Sequence, residues 1–440
     1  MKQNKTVSRR HFLQGSTAAL GGLALTGSGV NLAFGQGSDG FRVGLIGCGG
    51  RGTGAAKDML AGAKMANADV KIVAVGDAFA DRAQGAAKAF GVADDKCFVG
   101  LDAYQKVLAQ DINLVILATP PGFRPMQFEA AVKAGKNVFF EKPVAVCPTG
   151  IRQVIAAAEE AEKKGLAVVT GTQRRHQANY VETMKRIHDG MIGEIMSAQA
   201  YWNQGGLWVN KRQDGQSDVE WQLRNWLYFV WLSGDHIVEQ HVHNLDVINW
   251  AMNDFPTKIY GMGGRTYRTG PEFGNIYDHF CIEFEYANSC RIISQCRQIE
   301  GAANRVSERV AGTKGISDCA GNIWDLKGKQ IWKFEGQVVN PYVQEHVDLL
   351  NSIKSGKPLN EGKRIAMSTL TAIMGRLSAY TAREFNASWC MKQCDLDLTP
   401  SPTLTMKQSL PIDPVAIPGK YTLEGLSGGK GKGKGKGKKA

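Results

Sequence analysis

Apolar residues in the first part of the chain come in short unbroken runs: Phe41 to Ile46, Val70 to Gly76, Leu114 to Ala118, Asn137 to Phe140 and Leu166 to Thr170. Helical spacing marks the stretches around Ala55 to Met65 and from Phe79 to Phe90. Runs that are apolar at every position suit strands covered on both faces, and their alternation with helices predicts a doubly wound parallel sheet. Ligands of such a sheet sit beyond the carboxyl ends of its strands.

After residue 190 the period changes to two. Phe280, Ile282, Phe284 and Tyr286 alternate with Cys281, Glu283 and Glu285, and Asn288 and Ser289 turn the chain into Arg291 to Ile299. Glu194 to Trp202, Lys258 to Arg265, Val306 to Ala311 and Ile323 to Phe334 are further strand candidates. The pattern predicts an α+β domain built on an open, mainly antiparallel sheet with one face covered. Helices over Tyr342 to Ser355 and Arg364 to Thr381 are expected to pack back between the two parts. The expected organisation is a parallel-sheet domain over 36–170, an α+β domain over 171–395 and a C-terminal extension over 396–425.

Of the net charge of +12, Lys2, Lys5, Arg9 and Arg10 supply four, and Lys430, Lys432, Lys434, Lys436, Lys438 and Lys439 supply six. The nearly neutral body lacks the broad basic face that binding to a phosphate backbone requires, so nucleic acid is not an expected partner. Ser8-Arg9-Arg10 followed by an uncharged stretch rich in Ala, Gly, Ser and Thr resembles a twin-arginine export signal over 1–35, with Ala33 and Gly35 suited to cleavage. Export to the periplasm or beyond is therefore expected. No later segment has the ~18 consecutive apolar residues of a membrane span. The Gly-Lys repeat over 426–440 has nothing with which to form a core and is expected to be disordered. Nine cysteines without a CxxC pair indicate neither a zinc ribbon nor a full disulfide framework. Cys390 and Cys394 are the one pair close enough in sequence to test for oxidation.

Gly47-Cys48-Gly49-Gly50-Arg51-Gly52 directly follows the first strand and opens the first helix, where a dinucleotide fingerprint belongs. Glycines there permit a tight turn and close backbone approach, so that the helix N-terminus can hold a pyrophosphate. Asp77 ends the second strand, where a carboxylate can bond both ribose hydroxyls and repel a 2′-phosphate. NAD is favoured on that ground, with Arg51 and Arg82 leaving NADP open.

Thr119-Pro120 follows one strand and Glu141-Lys142-Pro143 another. With the fingerprint, and with Gly171 to Arg175 and Gly234 to Asp246, these residues resemble the Gfo/Idh/MocA family, named for glucose-fructose oxidoreductase, inositol dehydrogenase and a rhizopine-catabolism protein. The resemblance covers most of residues 40 to 390. It implies a Rossmann domain in which Gly47 to Gly52, Asp77, Thr119, Pro120, Glu141 and Lys142 hold NAD(P). It places Lys142 near nicotinamide and substrate, and matches Glu239, His243 and Asp246 to a later Asp-x-x-x-His-x-x-Asp motif whose first acid here is Glu. Arg124 stands where many members have His. The resemblance also implies a homo-oligomer formed through the exposed sheet face.

The chemistry agrees without the family. Removing hydride from a carbinol carbon needs a base for the hydroxyl proton, a task neutral imidazole performs near neutral pH, and His243 is the candidate. Were Asp235 to Trp250 a single helix, Asp235, Glu239, His243 and Asp246 would share one face. Lys142 would polarise the hydroxyl oxygen. The same helix turns His241 away from Glu239 and His243, so no metal site is expected. Trp202, Trp208, Trp221, Trp226 and Trp231 either line a carbohydrate pocket or pin a long loop to the core, and Arg212, Arg224 and Asp218 nearby are candidate substrate contacts. An exported enzyme meets no pool of free cofactor, so the expected activity is hydride transfer at a sugar or cyclitol hydroxyl on tightly held NAD(P). The alternatives are redox-neutral glycoside cleavage by oxidation, elimination and reduction, and an inactive sugar-binding relative.

Overall fold

The computed structural model describes residues 40–423; the expected export signal and Gly-Lys tail lie outside the described residues. Strands β1 (Phe41–Ile46), β2 (Val70–Asp77), β3 (Cys97–Val99), β4 (Leu114–Leu117), β5 (Asn137–Phe140) and β6 (Val168–Thr170) form a six-stranded sheet in the order β3-β2-β1-β4-β5-β6. All its pairings are parallel. The strand order reverses at β1 and β4, which opens a crevice at their carboxyl ends. Five strands follow the apolar runs; β3 was not among them, being three residues long and only partly buried.

The first helix, Gly50–Met65, buries Ala55, Ala56, Met59 and Ala63 against the sheet. On another side it admits the helix Pro341–Lys354 so closely that a Cβ on Gly62 would lie 3.1 Å from the Val343 carbonyl oxygen.

The remaining strands are β7 (Ile195–Gln204), β8 (Lys258–Gly264), β9 (His279–Glu285), β10 (Arg291–Gln298), β11 (Arg305–Gly312), β12 (Gly315–Ser317), β13 (Asn322–Asp325), β14 (Gln330–Lys333) and β15 (Phe385–Asn386). They make a nine-stranded sheet in the order β14-β13-β12-β11-β7-β10-β9-β8-β15, antiparallel except where β10 meets β7. Alternation decides its faces: Phe280, Ile282 and Phe284 are buried, while Tyr260, Met262 and Ile293 stand exposed on the other side. The span 323–334, read as one strand, is a hairpin. Asp325 Oδ1 accepts from the Lys327 and Lys329 amides at 2.9 Å each, and Gly328 takes φ +85° in the turn.

The helix Gly362–Thr381 joins the two halves, lying against the helix Pro148–Lys163 on one side and β8 on the other. Its fully buried Arg376 donates to the Gly234 and Val146 carbonyls, both at 2.8 Å. One apolar core consequently runs from Phe140 and Val146 through Leu370 to Ile282 and Phe284. Beside it, His176 sits between Asp348 (2.6 Å) and Glu361 (3.4 Å).

The extension packs along the surface and buries Leu398, Leu404 and Leu410. Cys390 and Cys394 are buried free thiols rather than an oxidised pair near an exposed end. Among the described residues no helix is long and apolar enough to cross a membrane.

Candidate functional site

Gly47 leaves β1 at φ +93°, and a Cβ there would lie 2.6 Å from the Thr119 amide nitrogen. The turn must pass close under the β4 exit, so only glycine fits. A Cβ on Gly52 would lie 1.8 Å from the Gly47 carbonyl oxygen, so this glycine brings the helix onto the strand. A Cβ on Gly50 would instead meet open space, and one on Gly49 only the Arg82 guanidinium at 4.0 Å. Asp77 closes the turn from β2: its Oδ2 accepts from the Cys48 amide (2.7 Å) and its Oδ1 from the Phe79 amide (2.9 Å). Cys48 thus contributes its backbone, while its thiol turns inward to the Gly76 carbonyl, and burial pushes that thiol well above its ordinary pKa.

These residues edge a cavity of about 350 Å³ with Gly47, Gly49 to Gly52, Asp77, Phe79, Thr119 and Pro120 on its walls. Its outer wall comes from the other half of the chain, as Trp208, Asn210, Leu223 and Trp226. Sequence reasoning had noticed the indoles but not this placement, and it missed Asn210, Leu223, Phe79 and Tyr104. The aromatic density of the loop was the only signal. Trp221 and Trp231 are buried, their indole N–H groups donating to the Asn210 carbonyl and to Gln222.

Arg51 and Arg82 both line the cavity, and the Arg51 guanidinium is engaged by Glu141 (2.7 Å) and Asp58 (3.2 Å). Arg212 pairs with Asp218 at 2.8 Å, and Arg224 with Asp81 across the crevice. These three candidate substrate contacts are therefore spent on protein partners.

The cavity stops short of a second cluster beyond β5. Because Glu141 bonds back to the Leu117 carbonyl, the Glu141-Lys142 step lies beside the Thr119-Pro120 turn. Lys142 Nζ reaches Glu239 Oε1 at 3.0 Å and also bonds the Glu239 carbonyl. His243 stacks on Trp202 with ring centres 5.7 Å apart and planes 20° apart. Burial, with the nearby charges of Lys142 and Arg174, holds its pKa well below the ordinary value, so the ring is neutral at neutral pH. Arg124 lies behind this cluster, fully buried and donating to the Pro143 carbonyl.

The expected single helix from Asp235 to Trp250 is broken, and the three acids and the histidine do not share a face. Asp235 has φ +74° and is buried, accepting from the Tyr277 amide and the Tyr380 hydroxyl. The short helix His236–Glu239 ends where Gln240 is taken by Gln204 and Gln298, and Val242–Met252 begins a new one. His241 points into the core to Ser294 (2.7 Å), away from Glu239, and among the described residues no three side chains are placed to hold a metal ion. Asp246 does not reach His243. Its carboxylate accepts from Arg175 (2.8 and 3.0 Å), Arg364 and Ser368, and the two guanidinium groups hold it charged against the penalty of burial. The structure therefore brings Lys142, Glu239 and His243 together and leaves Asp246 as a buried structural anion.

A glycine cradle at a parallel-sheet switch point, a ribose-height carboxylate and a neutral histidine beside a lysine define a dinucleotide-binding protein of Rossmann type. Residues 41–170 match the model of the oxidoreductase family with an NAD-binding Rossmann fold, and residues 180–317 match that of the GFO/IDH/MocA C-terminal domain. The chain belongs to the Gfo/Idh/MocA family. It is 28% identical over 175 residues to 2,7-anhydro-N-acetylneuraminate hydratase of Escherichia coli, covering 40% of this chain and 43% of that one. It is 27% identical over 219 residues to inositol 2-dehydrogenase of Rhizobium meliloti, covering 50% and 57%. The chain thus spans about half the length of these curated relatives. The fold also matches scyllo-inositol dehydrogenase from Lactobacillus casei, solved with NAD(H) and scyllo-inositol, at TM-score 0.61 and 18% identity over 80% of this chain and all of that one.

Proposed function

We propose that the protein is an exported NAD-dependent oxidoreductase that moves hydride from or to a hydroxyl-bearing carbon of a sugar or cyclitol. The observation that carries this reading is the pairing of Lys142 with Glu239 at the end of β5, with His243 within reach of the lysine charge, beside the Thr119-Pro120 turn that edges the glycine-lined cavity. NAD fits the cradle because Gly49 and Gly50 line it without side chains, with nothing within 4 Å of a Cβ on Gly50, and because Asp77 presents a carboxylate at the end of β2. Bound there, NAD supplies the hydride acceptor and donor.

The chain's own residues handle the proton and the charge. His243, kept neutral, takes the hydroxyl proton on a ring nitrogen and returns it in the reverse direction. Lys142 stabilises negative charge growing on the same oxygen, and Glu239 holds the ammonium in position from 3.0 Å. Trp202 fixes the plane of the imidazole. The exposed Tyr260, Met262 and Ile293 supply the apolar sheet face through which copies would associate.

The relative named as a hydratase supports a second reading, in which oxidation, elimination and reduction follow one another with no net redox change. Both readings require retained cofactor, so dinucleotide content after washing the folded protein and then denaturing it is the first test. On a panel of cyclitols, aldoses and glycosides, His243→Ala and Lys142→Ala are expected to lower turnover by about 10²–10⁴-fold while dinucleotide content stays unchanged. Unchanged turnover in both variants would remove the assignment. Release of an aglycone without oxidised sugar would select the second reading.

A further inference from the structure

The outer wall of the cofactor cavity is unlike an ordinary crevice edge. Residues 207–226 come from the second half of the chain yet place Trp208, Asn210, Leu223 and Trp226 opposite Asp77, Phe79, Leu101 and Tyr104. The face that follows Asp77 is the one that receives the adenosine end of a dinucleotide.

This wall is held rigidly from behind. Ser217 and Glu220 form a reciprocal helix cap, Asn210 Nδ2 donates to the Arg224 carbonyl at 2.7 Å, and Asn225 donates to the Glu272 carbonyl at 2.6 Å. The C-terminal extension adds Lys407 to Glu220 (2.7 Å), Ser409 to Asp218 (2.9 Å) and the Leu410 carbonyl accepting from Gln222 (2.6 Å). Among the described residues, its polar connection toward the parallel-sheet domain is a single side chain. Arg224 donates both terminal nitrogens to Asp81, at 2.8 and 2.5 Å, and its guanidinium lies 3.8 Å from the centre of the Phe79 ring. Asp81 stands in the first turn of the helix that follows Phe79. A bidentate, stacked arginine resists sideways displacement in a way that a lysine would not.

We propose that residues 207–226 form the second half of the adenosine seat, and that the Arg224–Asp81 latch sets the rate at which the dinucleotide leaves. The proposal rests on the dinucleotide reading above and adds the residues that govern retention. Because the cover is braced to its own domain, opening requires the latch and the stacking on Phe79 to part while the remaining bonds stay made.

The test loads the purified full-length protein with radiolabelled NAD, chases with excess unlabelled NAD and follows the label that stays bound. Arg224→Ala and Asp81→Ala are each expected to release NAD about tenfold faster, equivalent to ~1.4 kcal/mol. The double variant should be no faster than either single one. The charge-exchanged pair Asp81→Arg with Arg224→Asp should recover part of the slow release, and Trp208→Ala, which removes cover without touching the latch, should also accelerate it. Asp111→Ala, which breaks an exposed ion pair to Arg42 away from the cavity, should release at the parent rate. Variants that bind NAD stoichiometrically and release it at the parent rate would overturn the latch alone. A parent protein that binds no dinucleotide would overturn the latch and the dinucleotide reading together.

Discussion

His176 offers a quantitative check on the charge network that ties the two halves together. Burial alone would lower its pKa, but the hydrogen bond to Asp348 and the carboxylate charge of Glu361 3.4 Å away outweigh that and raise it to about 9. Relative to an ordinary histidine near 6.5, the folded protein binds this proton more tightly by about 3 kcal/mol. Asp348 is 34% exposed, so solvent screens its share and the working figure is about 2 kcal/mol. The sign follows from proton binding: a raised pKa stabilises the folded state fully below pH 6.5, and that contribution is lost as pH rises through about 9. His176→Asn removes it. The stability gap between parent and variant, from urea unfolding followed by tryptophan fluorescence, should be larger at pH 6 than at pH 10 by about 2 kcal/mol. Other titrating groups are common to both proteins and cancel in the difference. A gap independent of pH, or one that widens toward pH 10, would refute the reasoning.

Three further outcomes follow from burial and close approach. His346 is buried against Phe139 with both ring nitrogens unpartnered, and burial pulls its pKa down to about 3. The unfolded chain therefore takes up its proton first as pH falls below 6.5, and His346→Leu should gain on the parent by about 1 kcal/mol per pH unit between pH 6 and 4, read from melting temperatures. Gly52→Ala drives a methyl into the Gly47 carbonyl and should abolish soluble folded protein, whereas Gly50→Ala, with nothing within 4 Å, should melt within a few degrees of the parent. A thiol reagent should titrate no more than Cys97 and Cys281 in the native protein and all nine cysteines after denaturation, because the other seven are buried.

What was legible in the chain was local. The parallel strands announce themselves because each is an unbroken apolar run, and the glycine turn because Gly47 and Gly52 have no room for a Cβ. Lys142 and His243 were found by motif and chemistry, and the structure sets them in one cluster. Reading Asp235 to Trp250 as one helix failed because the break at Gln240 is made by Gln204 and Gln298, and the turn of His241 by Ser294, all from other strands. Asp246 was matched to the family motif and placed by helical spacing on one face with His243; its ion-pair partner Arg175 lies 71 residues earlier, which neither signal reveals. Likewise the indoles between Trp202 and Trp231 carry no mark of which will face the cavity, since that depends on a pairing of Arg224 with Asp81 across 143 residues.

The helix Pro341–Lys354 places Val343, Val347, Leu349, Leu350 and Ile353 in the same core as Val43 and Leu45 of β1 and Ile116 of β4. One face of the nucleotide-binding sheet is thus finished by a helix that follows its last strand, β6, by 170 residues (171–340). At about 5–20 residues per second, a ribosome exposes the glycine turn well before its covering helix exists. Residues 41–170 therefore emerge as a sheet with one face still incompletely covered. That apolar face must wait for the helix Pro341–Lys354, and NAD cannot find a completed seat before that helix has been made.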